Sequence, residues 1–227
     1  MKPDPLSDAK VIDSWRTNAA PWSEAVRGQR IESRRLVTDR AAIDAVVSVT
    51  PRTVLDLGCG EGWLARALSE RGMMVTGVDA VPALIQTAQK AGGGEFRVAS
   101  YEDITGGMLR ERFDAVVANF SLIGGPAVDA LIEYVPNLLT PGGHLVIQTL
   151  HPVAACGELP YADGWRPGSW AGFSDDFTDP APWYFRTMES WDRLLARSGL
   201  RLTERREPVN PGTGKPASVV FMARVAG

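Results

Sequence analysis

Short apolar runs recur along residues 54–150, and longer amphipathic segments separate them. The apolar runs cover residues 54–57, 74–78, 96–99, 113–118 and 144–150. Runs of this length without polar alternation are typical of strands that are buried on both faces of a parallel sheet. Strands that alternate with helices in this order predict an α/β fold with helices on both faces of the sheet.

Helices are predicted where apolar positions recur at helical spacing between start and stop signals. The predicted helices cover residues 28–48, 63–70, 82–90, 127–139 and 191–198. A Thr-Pro-Gly-Gly turn signal at 140–143 closes the fourth of them. Two further strands are predicted at 200–207 and 218–225 without a helix between them, which suggests an antiparallel pair at the sheet edge. The total is a seven-stranded, mostly parallel sheet.

Two regions lie outside this rhythm. Residues 1–50 are predicted to form an N-terminal helical cap, and residues 51–227 the main domain, with an inserted lid at about 151–190. The insertion is rich in aromatic side chains: Tyr161, Trp165, Trp170, Phe173, Phe177, Trp183, Tyr184 and Phe185. These rings suit the wall of a pocket for an apolar or aromatic ligand, and ordinary packing against the sheet explains them equally well.

Composition narrows the class of protein. The 227 residues are 44% hydrophobic and carry a formal net charge of −3, which gives no general attraction to nucleic acid. The two cysteines, Cys59 and Cys156, lack metal-ligand spacing, so we expect no metal site and a reducing compartment. The N-terminus has no signal-peptide pattern, and no run is long enough to span a membrane. We therefore expect a cytoplasmic protein without membrane insertion.

The most informative segment is the glycine turn after the first strand, at residues 58–62. A strand that runs into closely spaced glycines and then a helix places backbone N–H groups against a ligand. The spacing is G-x-G-x-G, and Trp63 stands where a dinucleotide fingerprint has its third glycine. Two acids, Asp56 and Glu61, flank the turn, and they suit a ligand with positive charge. A nicotinamide-dependent oxidoreductase is therefore disfavoured, and the chain also lacks a Tyr-x-x-x-Lys pair.

Residues 54–60, Val-Leu-Asp-Leu-Gly-Cys-Gly, resemble the first motif of class I S-adenosylmethionine-dependent methyltransferases, in the branch that includes small-molecule and quinone-biosynthesis enzymes. The resemblance extends over about residues 50–150. It implies a Rossmann-like fold, S-adenosylmethionine as cofactor and S-adenosylhomocysteine as product. It also implies that Asp56, Gly58, Cys59 and Gly60 surround the methionyl part of the cofactor.

The resemblance implies further cofactor contacts at the next two strand ends. Asp79, with Ala80 beside it, ends the second strand 23 residues after Asp56, where an acid accepts hydrogen bonds from both ribose hydroxyls. Ser100, Tyr101 and Glu102 follow the third strand and could line the adenine pocket. A capped loop before a short helix is the alternative explanation for that last segment.

Three more residues are candidates near the reacting groups. Asn119 ends the fourth strand at the position that faces the transferred methyl in the family, and the Asn/Asp-Pro-Pro-aromatic signature of nucleic-acid and glutamine amino-group methyltransferases is absent. Arg34 is the candidate for the cofactor carboxylate, although a solvated helix face also explains it. His151 follows the fifth strand, where it could act as a general base or only shape the substrate site.

The sequence thus predicts methyl transfer from S-adenosylmethionine to a small-molecule acceptor in a water-excluded site. No nucleic-acid partner is expected, and the protein is expected to be a monomer or homodimer. A non-catalytic module that binds the same cofactor and regulates a partner remains an alternative, because the binding motif serves both. The acceptor and its attacking atom are not specified by any motif.

Overall fold

The computed structural model describes residues 4–226. Its strands in chain order are β1 (Thr53–Leu57), β2 (Met74–Asp79), β3 (Glu95–Val98), β4 (Phe113–Asn119), β5 (Leu139–Thr149), β6 (Gly164–Arg166), β7 (Trp183–Phe185), β8 (Leu200–Arg206) and β9 (Val219–Val225). Its α-helices are α1 (Asp8–Thr17), α2 (Ala19–Arg27), α3 (Asp39–Ser48), α4 (Trp63–Ser69), α5 (Pro82–Ala91), α6 (Tyr101–Thr105), α7 (Pro126–Tyr134), α8 (Pro152–Cys156) and α9 (Met188–Arg197). A π-helical turn, Arg34–Thr38, precedes α3, and a 3₁₀ turn, Val135–Leu138, follows α7.

Seven strands form one sheet in the order β3-β2-β1-β4-β5-β9-β8. The first five are parallel, and β9 runs antiparallel to both β5 and β8. The predicted Rossmann-like α/β fold, with its antiparallel pair at the edge, is therefore confirmed. The chain order reverses between β1 and β4, and ligands of such sheets bind outside the carboxyl ends of the strands at that point.

The alternation of side chains along β1 explains which face of the sheet Asp56 points to. Leu55 and Leu57 pack into one core, which contains residues of α7 and α9. Val54 packs into the other core, which contains residues of α3 and α4. Because successive strand residues point to opposite faces, Asp56 lies on the same side as Val54.

Element boundaries differ from prediction at three places. The predicted helix 28–48 begins as a turn at 28–29; helical structure starts at residue 32, passes through the π-helical turn and continues as α3 from Asp39. The helix predicted over 127–139 ends early, and β5 starts at Leu139, so the predicted turn 140–143 belongs to an irregular part of that strand. Leu139 pairs with Phe113 there, before the register shifts. Helix α9 begins at Met188, three residues before the predicted start.

The N-terminal helices and the inserted segment are joined to one another. Asn18 is fully buried; its Nδ2 donates to the Thr178 carbonyl at 2.7 Å and its Oδ1 accepts from the Thr178 N–H at 2.9 Å. At the other end of α1, the Asp8 carboxylate accepts from the N–H groups of Gly125 and Ala127 at 2.8 and 3.1 Å. Helix α1 therefore connects the insertion to the start of α7. The predicted division of the chain at residue 50 stays a prediction.

Candidate cofactor and active site

The glycine turn is held tightly against the neighbouring strand. The N–H groups of Gly58 and Cys59 both donate to the Val78 carbonyl, at 2.8 and 2.9 Å. Gly58 has φ +68°, and a β-carbon there would lie 2.4 Å from Cβ of Ser121, so only glycine fits. Gly60 has φ +57°, and a β-carbon there would meet only Trp22 Nε1, at 3.7 Å. Space thus remains above Gly60, between the turn and the cap.

Asp56 and Asp79 form a buried pair of acids at this turn. Asp56 is 2% exposed, and its Oδ2 has no hydrogen-bond partner in the described part of the chain. Burial, and secondly the charge of Asp79, raise the pKa of Asp56 to about 7. Asp79 accepts from the N–H groups of Gly60 and Val81 at 2.9 and 2.8 Å, and burial raises its pKa as well.

Neither carboxylate of this pair forms an ion pair with an arginine, lysine or histidine of residues 4–226. Two buried negative charges without a compensating cation are costly unless a ligand supplies positive charge. The arrangement therefore suits a cationic ligand at the carboxyl ends of β1 and β2.

Glu61, the other acid that the sequence placed at the turn, has a different role. It is 1% exposed, and its carboxylate is held by Arg66 Nη2 at 2.7 and 2.8 Å and by Arg27 Nε at 3.1 Å. The expectation that Glu61 faces a positively charged ligand is wrong, because two protein cations already neutralise it. It ties α2 and α4 to the turn.

Cys59 and Ala80 lie at the same edge of the sheet. The Cys59 thiol is buried, and its pKa is raised by that burial and by the neighbouring acids, so the side chain stays a neutral thiol. The Cys59 side chain points toward Gly77 of β2: its Sγ lies 2.9 Å from the place that a β-carbon on Gly77 would occupy. Only the Cys59 backbone faces the turn, and Ala80 is partly exposed directly after Asp79.

Ser100, Tyr101 and Glu102, the candidates for the adenine pocket, have different environments in the structure. Ser100 caps α6 in a reciprocal capping box with Asp103, as the alternative explanation for this segment proposed. Glu102 is exposed on that helix. Tyr101 reaches back to the glycine turn, where its hydroxyl donates to the Ser121 carbonyl at 3.1 Å. The contribution of each to adenine binding stays a prediction.

The end of β4 bends sharply toward the turn. Asn119 Oδ1 is buried and has no partner among the described residues. Phe120 adopts φ +52°, a left-handed conformation that a bulky residue rarely takes and that often marks a functional site. Ser121 Oγ then donates to the Leu57 carbonyl at 2.6 Å. Ser121 was not a candidate from sequence, because only the fold brings it against Gly58.

Arg34 lies beside the turn but is already paired. Its Nε and Nη2 donate to the two carboxylate oxygens of Asp39 at 2.8 and 3.3 Å. Its guanidinium stacks 4.6 Å from the centre of the Trp63 ring and 5.9 Å from that of Trp22. These contacts place Arg34 near the cofactor end of the sheet, and its bond to a cofactor carboxylate stays a prediction.

His151 is buried at the carboxyl end of β5, with both ring nitrogens facing other groups. Nδ1 accepts from the Ala154 N–H at 3.4 Å as the cap of α8, which places the proton of the neutral ring on Nε2. Nε2 lies 3.4 Å from Glu207 Oε2 and has no hydrogen-bond partner in residues 4–226. Catalysis by His151 stays a prediction.

An aromatic cluster covers the turn. Trp22 packs edge-on against Trp15 with 5.0 Å between ring centres, and Trp15 packs against Trp170 of the insertion at 5.8 Å. Phe173 and Phe177 complete the cluster around Trp170. The cap and the insertion thus form a joint apolar cover over the glycine turn.

Comparison with models of protein families shows the family of this chain. A sequence model described as a methyltransferase domain matches residues 27–205, which include the glycine turn, both acids of the pair and the whole insertion. The chain belongs to this methyltransferase family. The resemblance that the first motif indicated is therefore confirmed.

Similar curated proteins come from Xanthomonas and Xylella species. A ubiquinone biosynthesis O-methyltransferase of Xanthomonas campestris is 34% identical over 169 residues, which is 70% of each chain. The enzyme of the same name from Xylella fastidiosa is 36% identical over 117 residues. That match covers 48% of this chain, and the chain spans only 46% of the relative's length.

Solved methyltransferase structures share the fold. An S-adenosylmethionine-dependent methyltransferase from Mesorhizobium loti has a TM-score of 0.62 at 24% identity, covering 80% of this chain and 96% of that one. The glycopeptide N-methyltransferase MtfA, in complex with S-adenosylmethionine, has a TM-score of 0.65 at 19% identity and covers 83% and 87%. At such identities the likeness concerns the fold alone.

Two further findings concern residues 4–226 only. Every helix there is too short or too polar to cross a lipid bilayer. The same residues contain no group of three or more His, Cys, Asp or Glu side chains arranged to hold a metal ion.

Proposed function

We propose that this methyltransferase-family chain transfers a methyl group from S-adenosylmethionine to a small-molecule acceptor. The observation that carries the proposal is the buried acid pair, Asp56 and Asp79, which has no cationic partner in the described residues. S-adenosylmethionine has two positive charges, on its sulfonium and its α-ammonium, so it suits such a pair. A ligand without a positively charged group at this place would compensate neither carboxylate.

The residues at the turn fit this cofactor. Asp56 Oδ2 is a buried acceptor without a partner, which suits the methionyl ammonium. The carboxylate of Asp79 is fixed by the N–H groups of Gly60 and Val81, and its remaining lone pairs suit the ribose hydroxyls. The space above Gly60 is open up to Trp22. When bound, S-adenosylmethionine supplies an electrophilic methyl group.

The protein then contributes orientation and the exclusion of water. Holding two reactants in line can lower a barrier by about 7–11 kcal/mol. The backbone of the glycine turn and the bent end of β4 are both fixed by short hydrogen bonds, so they can set that alignment. The aromatic cover of the cap and insertion excludes water from the same place.

The acceptor must enter beneath the insertion. A cavity of about 20 Å³ lies between the ends of β4 and β5 and the β7 strand, lined by Leu122, Ile123, Pro152, Trp183 and Phe185 among others. It has room for about one water molecule. Its mostly apolar walls favour an apolar or aromatic acceptor.

The proposal is tested by binding and by transfer. Asp79→Ala should weaken cofactor binding by about 1.5–3 kcal/mol, the loss of charge-assisted hydrogen bonds, measured by calorimetry with S-adenosylhomocysteine. Asp44→Asn, on the exposed side of α3, is the control and should bind like the wild type. Radiolabelled methyl transfer into small molecules of a cell extract tests catalysis. Binding without any transfer would favour the regulatory module, and no binding at all would refute the proposal.

A further inference from the structure

Buried polar atoms without partners continue beyond the acid pair. Thr38 Oγ1, Gln148 Oε1 and Ser218 Oγ have no hydrogen-bond partner in residues 4–226, and these residues are 2%, 1% and 0% exposed. Most buried polar groups in proteins are hydrogen-bonded, so each such atom needs an explanation. The question is which of them belong to the cofactor site.

The strand register places Gln148 beside Asn119, on the sheet face of Asp56 and two strands away from it. Asn119, at the end of β4, pairs with Gln148 of β5. Gln148 shares the sheet face of Val146, which packs in the same core as Val54, and Asp56 lies on that face too. The unpartnered oxygens of Asp56, Asn119 and Gln148 therefore stand on one face of three adjacent strands, β1, β4 and β5.

Thr38 lies above Gln148. Gln148 Nε2 donates to the Thr38 carbonyl at 2.9 Å, which fixes the amide with its oxygen free. Thr38 ends the π-helical turn, in which the Asp39 N–H donates to the Arg34 carbonyl. Such turns occur frequently at functional sites. This turn holds the Thr38 hydroxyl and the Arg34 side chain on the same short segment.

We propose that Thr38 and Gln148 receive the amino-acid end of the cofactor, an inference that rests on the proposed function. The Thr38 hydroxyl donates to the cofactor carboxylate, and Gln148 Oε1 accepts from the α-ammonium beside Asp56. Two of the three guanidinium nitrogens of Arg34 already donate to Asp39, so the Thr38 hydroxyl supplies an additional donor for the carboxylate. Ser218 precedes β9, one strand further away, and takes no part.

The test compares two ligands that differ only in the amino-acid end. S-adenosylhomocysteine carries the amino and carboxyl groups, and 5′-methylthioadenosine lacks both while keeping the adenosine and the sulfur. Thr38→Val keeps the side-chain shape and the carbonyl that Gln148 contacts. It should weaken S-adenosylhomocysteine binding by about tenfold to a hundredfold and leave 5′-methylthioadenosine binding unchanged. Gln148→Met should act in the same direction, and Ser218→Ala, the matched control, should change neither affinity.

Several outcomes would overturn the inference. One is a Thr38→Val variant that binds S-adenosylhomocysteine as the wild type does. Another is an equal loss of affinity for both ligands, which would indicate a purely structural role for the π-helical turn. Circular dichroism shows whether Thr38→Val folds. If it does not fold, the affinities of Gln148→Met for the two ligands decide between the outcomes. A wild-type protein that binds neither ligand would refute the proposed function itself, which is a distinguishable result.

Discussion

The pH dependence of stability should reveal the buried charge of Asp56. Its pKa is 3.8 in an unfolded chain and about 7 in the folded protein, where burial and Asp79 disfavour ionisation. Between these pH values the folded protein retains a proton that the unfolded chain has lost. The free energy of unfolding therefore falls as pH rises from about 4 to about 7. A shift of this size corresponds to at most about 4 kcal/mol.

Asp56→Asn removes this titration while keeping the side-chain shape. The new amide brings its own cost if it stays unpaired, but that cost does not depend on pH. The informative quantity is therefore the difference in unfolding free energy between variant and wild type, measured by urea denaturation from pH 4.5 to pH 8. The difference should move in favour of the variant by several kcal/mol as pH rises through this window, and should level off above about pH 7.

A flat difference across this range would refute the reasoning, since it would mean that Asp56 ionises in the folded protein as it does in water. Asp44→Asn, at a largely exposed position, is the control for exchanging a carboxylate for an amide. Saturating S-adenosylhomocysteine should reduce the slope of the wild type, because the ligand's ammonium compensates the charge of Asp56.

Two further predictions concern the insertion and the end of β5. If His151 acts as a base, His151→Ala should lower the methyl-transfer rate and leave the calorimetric affinity for S-adenosylhomocysteine intact; an unchanged rate at saturating acceptor would exclude that role. Asn18→Ala removes both bonds to the Thr178 backbone, and only the bond from Trp170 Nε1 to the Thr178 carbonyl remains. It should speed limited proteolysis within residues 170–180, whereas Thr17→Ala on the exposed side of α1 should not, and equal cleavage rates would contradict the proposed link.

The elements that could be predicted from sequence are those whose signals are local. Apolar runs and the glycine spacing located the central strands and the turn, because buried parallel strands and tight turns restrict the residues within them. Asp56 and Asp79 were found for the same reason, since each stands at a fixed place relative to a strand end. The helices α1 and α2 were not delimited, because small residues and tryptophans bury their inner faces without a clear apolar period.

The partners of the site residues depend on the three-dimensional fold. Glu61 looked like a ligand-facing acid, and only the packing of α2 and α4 brings Arg27 and Arg66 to it. Thr38 and Gln148 are 110 positions apart in the chain and meet through the position of the π-helical turn over β5. The periodicity of apolar residues does not indicate which distant residues contact each other.

The carboxylate of Asp8 at the start of α7 has a consequence for how the domain is delimited. It satisfies two N–H groups at the beginning of a helix whose inner face, with Val128, Leu131 and Ile132, is completely buried. The family match begins only at residue 27. A shortened protein cut at that boundary would therefore lose the acceptor of two N–H groups at the start of a core helix, and it should be less stable than the longer chain.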